Sequence, residues 1–222
     1  MSKRIALLLF GMFYNSSYYN HNTQKDSTID FRYSVSNYKR HIFLYYKRLG
    51  YEIDVFFCTN DVHDTKIKKI LLKTYKPKNH VFVKTVKVRD KRSRFFNRNY
   101  KVKKVVELCN DYRQTNNIDY EFVIMTRFDL EFRVNFADVN IDYNKINLVS
   151  ILEQPEFICD NFYIIPGFLL NDFYDMIRKQ IYISHHHIQD ELEQISEINY
   201  LMNEFTHIEF LSFYKIVRKD TD

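Results

Sequence analysis

Apolar runs of strand length alternate with amphipathic segments along the first 130 residues. The runs 5–10, 51–58, 80–88 and 122–125 have the length and composition of buried strands. Segments 33–49, 66–75 and 102–114 carry apolar residues at helical spacing and are predicted helices. Strand alternating with helix four times implies parallel strands joined by right-handed crossovers. The pattern predicts an α/β fold with a mainly parallel central sheet flanked by helices.

The pattern changes after residue 130. Residues 130–134 alternate like a half-exposed strand, whereas 147–152 and 160–167 are further predicted strands. Helices are predicted over 168–180 and 189–205, and the polar segment 15–29 is predicted to be a loop. No repeat or linker interrupts the 222 residues, so we expect a single domain.

Composition places the chain among ordinary globular proteins. Apolar residues make up 45% of the chain, which provides a sizeable core, and three Gly and three Pro argue against turn-rich or linker-rich folds. Three distant cysteines without a CxxC spacing favour a reducing compartment, so we expect the cytoplasm, or the host cytoplasm if the protein is viral. The N-terminal run 5–10 is interpreted as a strand rather than a signal peptide, and no run is long enough to cross a bilayer.

The net charge of +5 is unevenly distributed. Residues 66–104 hold sixteen Lys or Arg and one acidic residue, whereas residues 150–222 hold thirteen acidic and five basic residues. Such a basic segment attracts nucleic acid, a membrane surface or the phosphates of a nucleotide. A solvated helix face explains part of it, because lysines surround the apolar positions of 66–73 in a helical pattern.

Charged residues follow directly after the apolar run 122–125. Arg127 and Asp129 stand where a central strand reaches the carboxyl edge of the sheet, which is the edge where ligands bind in open α/β folds. Charges at the end of a buried strand are costly unless they are paired or coordinated. Two interpretations are open: a structural ion pair, or a site in which Asp129 holds a divalent cation and Arg127 faces a phosphate.

Two stretches of this sequence, FVIMTRFDLEF at 122–132 and CDNFYIIPGF at 159–168, resemble glycosyltransferases of the GT-A fold. With the glycine turn after the first strand and Thr-Asn-Asp after the second, the resemblance covers about residues 4–175. It implies a Rossmann-like sheet and transfer of a sugar from a UDP or GDP sugar to a glycan or other hydroxyl acceptor. Typical members carry Asp-x-Asp, and Arg127 occupies the position of the first Asp.

The resemblance also implies roles for individual residues. Asp129 would contact Mn²⁺ or Mg²⁺, with His207 as a further metal contact, and Asp160 would be the base of an inverting reaction. Asp190 and Glu191 are the next candidates for that base. Residues 1–150 would hold the donor and residues 151–222 would shape the acceptor site. The positions expected to bind the donor are Gly11, Met12, Phe13, Tyr14, Thr59, Asn60, Asp61, Arg94, Arg98 and Arg127, with Lys103 as a further cation within reach of the phosphates.

Other interpretations of the same residues remain. The three histidines at 185–187 are expected to be an exposed helix start rather than a metal site, because neighbours on a helix point in different directions. A nucleic-acid-binding module that uses residues 66–104 is the rival function, and a degenerate transferase that only binds is a third. The rival leaves Asp129 and Asp160 without a task, so no nucleic-acid partner is expected.

Overall fold

A computed structural model of the protein describes residues 3–20, 25–84, 91–150, 158–179, 185–201, 213–217 and 219–220. The strands of the main sheet are β1 (Lys3–Gly11), β4 (Tyr51–Asn60), β5 (Asn79–Val83), β6 (Phe122–Arg127), β8 (Ile146–Ser150), β9 (Ile158–Pro166) and β10 (Ile198–Leu201). Smaller sheets contain β2 (Tyr14–Asn20), β3 (Lys25–Asp30), β7 (Leu130–Phe132), β11 (Tyr214–Ile216) and β12 (Lys219–Asp220).

The helices are α1 (Val35–Tyr38), α2 (Tyr45–Arg48), α3 (Thr65–Tyr75), α4 (Lys91–Asn116), α5 (Leu170–Lys179) and α6 (His185–Glu193). A π-helical turn, Lys39–Leu44, joins α1 to α2, so residues 35–48 run as one helical segment. Short 3-10 turns occupy Phe31–Tyr33, Phe136–Asp138 and Gly167–Leu169. No helix in the described ranges combines the length and apolar character needed to cross a membrane.

The central sheet has seven strands in the order β10-β8-β9-β6-β1-β4-β5. Strands β6, β1, β4 and β5 are parallel neighbours, whereas β9 runs antiparallel to both β6 and β8. The predicted α/β class with a mainly parallel sheet between helices is confirmed. The four observed parallel strands, β1, β4, β5 and β6, correspond to the four apolar runs of the first 130 residues.

Helices cover both faces of this sheet because its strands are apolar on both sides. Ile5, Leu7 and Leu9 of β1 face a core that contains the inner sides of residues 35–48 and of α3. Ala6 and Leu8 face the opposite core, which contains α4, α5 and α6. Right-handed crossovers from β1 to β4 and from β4 to β5 proceed in one direction, so their helices share a face. The crossover from β5 back to β6 reverses direction and puts α4 on the other face.

Two predicted helix ends are confirmed by their capping geometry. The Asp64 carboxylate accepts hydrogen bonds from the backbone N–H groups of Lys66 (2.8 Å) and Ile67 (3.2 Å), which begins α3 at Thr65. Gly50 follows the helical segment 35–48 with φ +86°, the left-handed conformation that terminates many helices. These signals depend on neighbouring residues alone, which explains why they were predictable.

Three sequence predictions were wrong or incomplete. Residues 15–20 and 25–29 are not a loop: they belong to β2 and β3, which form an antiparallel hairpin whose Ser and Tyr residues are compatible with strand geometry. The helix predicted over 189–205 ends at Glu193, and residues 198–201 form β10. Helix α4 begins at Lys91, well before the predicted residue 102. The half-exposed alternation predicted over 130–134 is confirmed in β7, where Leu130 and Phe132 are buried and Glu131 between them is partly exposed.

The end of the chain returns to the sheet edge that carries the charged residues. Strand β11 pairs antiparallel with β7, which directly follows the loop after β6. Strand β12 then pairs with β3 of the hairpin. Segments distant in the sequence therefore meet around the carboxyl end of β6.

Candidate functional site

The loop after β6 is organised by a two-point ion pair. Arg127 donates from Nε to Oδ1 of Asp129 (2.7 Å) and from Nη2 to Oδ2 (2.5 Å). The Asp129 side chain is 1% exposed and that of Arg127 is 20% exposed. This is the structural ion pair that the sequence left open as one of two interpretations. It fixes the guanidinium plane at the carboxyl edge of the sheet, with one side still accessible.

Three residues at the N-cap and on one side of α1 hold the backbone of the loop after β6 and of β7. Tyr38 donates a hydrogen bond to the Arg127 carbonyl, and Ser34 donates one to the Phe128 carbonyl. Asn37 donates to the Phe132 carbonyl and accepts from the Phe132 N–H, both at 2.8 Å. Sequence reasoning missed these supports. Their only local signal is a spacing of three and four residues, which places polar groups on one side of a helix.

Arg127 also connects the loop to β9 and to the end of the chain. Its Nη1 donates to Oδ1 of Asn161 at 3.3 Å. Asn161 in turn donates from Nδ2 to the Tyr214 hydroxyl (3.0 Å) and to the Cys159 sulfur (3.1 Å), and Tyr214 and Cys159 contact each other. The buried side chains of β6, β9 and β11 thus form one polar network around the guanidinium.

The turn after β1 is fixed by the end of β4. Gly11 has φ +97°, a conformation that favours glycine, and its position pairs in register with Thr59. The Thr59 hydroxyl donates to the Gly11 carbonyl at 2.9 Å. Asn60 accepts from the Phe13 N–H (3.3 Å) and donates to the Tyr14 carbonyl (3.2 Å). Thr59 and Asn60 therefore shape the predicted nucleotide-binding turn, which also contains Met12.

Three cations lie near this edge: Arg127 at the end of β6, and Arg98 and Lys101 on α4. Phe10 pairs in register with Arg127 on β6 and with Cys58 on β4. The Arg98 guanidinium lies 5.7 Å from the centroid of the Phe10 ring. Lys101, one turn further along α4, is 4% exposed and lies close to Cys58. Arg127, Arg98 and Lys101 therefore lie at or beside the ends of β6, β1 and β4, three neighbouring strands, and are called the cation row.

Burial perturbs the groups at the β4 end of this row. It lowers the pKa of the Lys101 ammonium and raises the pKa of the Cys58 thiol to about 12. Among the described residues no carboxylate lies within ion-pair distance of Lys101. A buried cation of this kind is costly in the free protein and is relieved by an anion. Sequence reasoning missed Lys101, because a lysine in a basic helix resembles a solvated one.

The structure brings together most, but not all, of the predicted donor residues. Gly11, Met12, Phe13, Tyr14, Thr59, Asn60, Arg98 and Arg127 lie at the ends of β1, β4 and β6 or beside them on α4. Asp61 follows β4 but is paired with Lys68 of α3. Lys103 donates its Nζ to the Arg178 carbonyl at 3.2 Å and so faces α5.

Several predicted positions lie outside what the structure describes. Arg94 is in α4 and Asp160 is in β9, but their side chains are not described, and the same holds for the three histidines that begin α6. His207 lies outside the described residues altogether. The alternative bases Asp190 and Glu191 lie on α6, and Glu191 lines a groove of about 630 Å³ between α5 and α6. The roles predicted for Asp160 and His207 stay predictions.

The described residues do not form a site for a divalent cation. Mn²⁺ and Mg²⁺ take several oxygen ligands. In the described ranges no three His, Cys, Asp or Glu side chains are grouped closely enough to hold a metal ion. Both oxygens of Asp129 accept hydrogen bonds from Arg127. A metal held by Asp129 and His207 stays a prediction, and the arrangement offers positive side chains instead.

No protein-family model matches the sequence, and no curated protein matches it. Among solved structures, a nucleoside-diphosphate-sugar pyrophosphorylase from Vibrio cholerae aligns with a TM-score of 0.48 at 15% identity, over 89% of this chain and 91% of that one. A 4-diphosphocytidyl-2C-methyl-D-erythritol synthase from Anaerococcus prevotii aligns at 0.49 and 11% identity, over 91% and 88%. A glycosyltransferase involved in glycosylation of the PBCV-1 major capsid aligns at 0.41 and 9% identity, over 93% and 85%.

These neighbours are distant, with TM-scores below 0.5 in each of the three cases. Their names are those of a pyrophosphorylase, a cytidylyl-type synthase and a glycosyltransferase. They define no family for this chain.

Proposed function

We propose that the protein is a glycosyltransferase that binds a nucleoside diphosphate sugar at the carboxyl edge of β1, β4 and β6 and transfers the sugar to a hydroxyl acceptor. The observation that carries this proposal is the row of Arg98, Lys101 and Arg127 directly beneath a glycine turn. Asp129 pairs with Arg127 in this row, and no described carboxylate lies within ion-pair distance of Lys101.

A diphosphate matches this arrangement in charge and in shape. Arginine presents its donors in a planar fork that suits phosphate oxygens, and Arg127 is held in one orientation by Asp129 and Asn161. Preorganised donors of this kind stabilise charge that develops on a leaving diphosphate without further rearrangement. The proposed roles are diphosphate binding for Arg98 and Lys101, and stabilisation of the departing diphosphate for Arg127.

The nucleoside would lie against the turn formed by residues 11–14. Gly11 has no side chain, and a methyl group there would lie 3.9 Å from Cγ of Arg127, an ordinary van der Waals distance, so the turn packs beside the aliphatic stem of Arg127. The Thr59 hydroxyl and the Asn60 amide fix this turn from below. We assign to these residues a supporting role, because their polar atoms are used by the backbone of the turn.

The acceptor would approach from the side of β9. Asp160 directly precedes Asn161, whose amide contacts Arg127. An inverting transfer needs a carboxylate to take the proton of the acceptor hydroxyl, and we propose Asp160 for that role. The bond from the sugar to the diphosphate breaks while the bond to the acceptor oxygen forms, and the diphosphate leaves with the electron pair.

Lys101 provides the sharpest test of donor binding. In Lys101→Met a buried charge is replaced by an apolar group of similar length, so the free protein should be at least as stable as wild type. The same change should weaken UDP or GDP binding by roughly 10- to 100-fold, the contribution of hydrogen bonds to a charged group. Lys103→Met, on the same helix but facing α5, is the matched control.

The measurements are thermal melting with and without UDP, GDP and their sugars, and identification of the released product. Ligand at one hundred times its dissociation constant stabilises a protein by roughly 2.7 kcal/mol. Release of a nucleoside diphosphate supports glycosyl transfer, whereas release of pyrophosphate would contradict it in favour of nucleotidyl transfer. Equal loss of nucleotide affinity in Lys101→Met and Lys103→Met would contradict the proposal that the cation row binds the donor.

A further inference from the structure

The outward side of the helices on the α3 face is strongly basic. No Asp or Glu occurs between residues 33 and 51 or between residues 65 and 78. Lys68 and Lys78 in these segments pair with Asp61 and Asp54. The remaining Lys and Arg side chains are exposed, and no described carboxylate lies within ion-pair distance of them. These eight residues, the basic face, are Lys39, Arg40, Lys47, Arg48, Lys66, Lys69, Lys73 and Lys76.

The two helical segments that carry the basic face form one layer. Tyr38, Ile42 and Tyr46 of the first segment belong to the same core as the buried side of α3. The rings of Phe43 and Tyr75 connect the segments directly, with centroids 6.3 Å apart. Because both segments use one side for this core, their opposite sides point away from the sheet together. The eight cations therefore belong to one surface.

Exposed aliphatic side chains lie on the same layer. Leu44 is 49% exposed, Leu49 is 51% exposed and Ile70 is 42% exposed. Half of the exposed large hydrophobic residues in the described ranges are thus on this layer. Basic residues mixed with exposed Leu and Ile are the pattern of surfaces that bind at the boundary between lipid headgroups and acyl chains.

We propose that the basic face docks the protein on a membrane surface rich in anionic phospholipid. Cations near such a surface are attracted by its negative potential, and the exposed aliphatic side chains enter the acyl boundary. The alternative polyanion, single-stranded nucleic acid, is gripped by aromatic side chains that stack on bases. The strongly exposed apolar residues of this layer are aliphatic, which favours the membrane. Docking here leaves the carboxyl edge of the sheet as a separate site, so the inference does not rest on the proposed activity.

Co-sedimentation of the full chain with vesicles tests the proposal. The vesicles are made of phosphatidylcholine alone or of phosphatidylcholine with about a third phosphatidylserine, at 0.1 M salt. Binding is expected to the mixed vesicles only and should weaken at 0.5 M salt, because screening shortens the reach of the surface potential. Equal binding to both kinds of vesicle, or to neither, would overturn the proposal.

Charge-matched variants locate the surface. Lys69→Gln/Lys73→Gln should reduce partitioning by about thirtyfold, since each cation near an anionic membrane contributes about 1 kcal/mol. Arg178→Gln/Lys179→Gln removes the same charge from α5 on the opposite face and should bind within about twofold of wild type. Equal losses in the two variants would contradict docking through the basic face.

The aliphatic residues need their own comparison. Leu44→Ser/Leu49→Ser should weaken binding to the mixed vesicles, whereas Phe168→Ser, at a residue 69% exposed elsewhere, should not. A competition with single-stranded RNA separates the remaining partner. RNA binding that depends on Lys69 and Lys73, without any vesicle binding, would assign the basic face to nucleic acid and overturn the proposal. Melting curves of all variants establish that they fold.

Discussion

Arg127 and Asp129 form a two-point ion pair in which both carboxylate oxygens accept from the same guanidinium, at 2.7 and 2.5 Å. The two residues are separated by Phe128 alone, and the pair closes the loop that follows β6. The pair has two consequences. It keeps Asp129 buried without a metal, and it holds Arg127 in a fixed orientation at the sheet edge.

Removing one partner of this pair should destabilise the protein. Asp129→Asn is expected to lower the free energy of unfolding by about 3 kcal/mol, the lower end for a broken buried pair, because Arg127 keeps some solvent contact. Arg127→Met/Asp129→Leu, which removes both charges, should recover much of that loss. Urea unfolding of the single and double variants measures both values. If Asp129→Asn were as stable as wild type, the ion pair would not stabilise the fold, and the interpretation of Asp129 as a contact to a divalent cation would be favoured.

The sequence predicted the parallel half of the sheet because strands buried on both faces are apolar at consecutive positions. Residues 5–10 and 122–125 have this property, and they become β1 and β6. The convergence of Gly11, Thr59 and Arg127 also followed, since parallel strands end at the same edge. These features depend on short segments and on a topological rule.

The contacts that support the site were not predictable in this way. The hydrogen bonds from Asn37 to Phe132 join residues 95 positions apart, and no pattern within either segment specifies the partner. Lys101 differs from its lysine neighbours only in what covers it. The boundary near Glu193 was missed because a short strand that follows a helix within a few residues continues its mixture of apolar and polar positions.

Asn37 provides a second prediction. Its side chain makes the two hydrogen bonds to the Phe132 backbone that a paired strand would make. Asn37→Leu leaves a backbone N–H and a carbonyl without their partner and should lower the free energy of unfolding by roughly 2–3 kcal/mol. Hydrogen exchange should show faster exchange of the Phe132 amide. Ser36→Ala, at the exposed neighbouring position, is the control and should change stability by less than about 0.5 kcal/mol. Unchanged exchange of the Phe132 amide in Asn37→Leu would contradict the role of the two hydrogen bonds between Asn37 and the Phe132 backbone.

Gly167 provides a third prediction, about packing rather than backbone conformation. A methyl group at this position would lie 1.6 Å from the Tyr120 carbonyl oxygen, so the backbone itself would have to move. The Gly167 N–H also donates to the Glu121 carbonyl at 2.9 Å, which keeps the two segments together. Gly167→Ala should destabilise the protein by more than about 4 kcal/mol and reduce the yield of folded protein.

Gly50 is the matched control for that substitution. It has φ +86°, yet a methyl group there meets no atom within 4 Å. Gly50→Ala should cost about 1 kcal/mol, the penalty of placing an L-residue in the left-handed conformation. Comparison of the two melting temperatures checks the prediction. Similar losses would mean that the strands around Tyr120 accommodate the extra atom.

His41 gives a prediction about pH. The ring is 8% exposed, contacts Phe132 and Phe136, and its Nδ1 has no hydrogen-bond partner among the described residues. Burial, with a smaller contribution from Arg40, lowers the pKa of His41, against opposing effects of the Val134 backbone and Glu131. The folded protein therefore prefers the neutral ring more strongly than the unfolded chain does. This contribution to stability is complete above the unfolded pKa, about 6.5, and is lost as the pH falls through the lower folded value.

The melting temperature should consequently decrease as the pH is lowered from 7.5 to 5.5. It should decrease less in His41→Gln, because glutamine cannot become charged. Burial also lowers the pKa of His80. His80→Gln therefore serves as the comparison: it removes the contribution of the second histidine and leaves that of His41. Because carboxylates titrate in all three proteins, the difference between their pH profiles, rather than any single profile, isolates each ring. A His41→Gln profile parallel to that of wild type would mean that His41 is protonated as easily in the fold as in the unfolded chain.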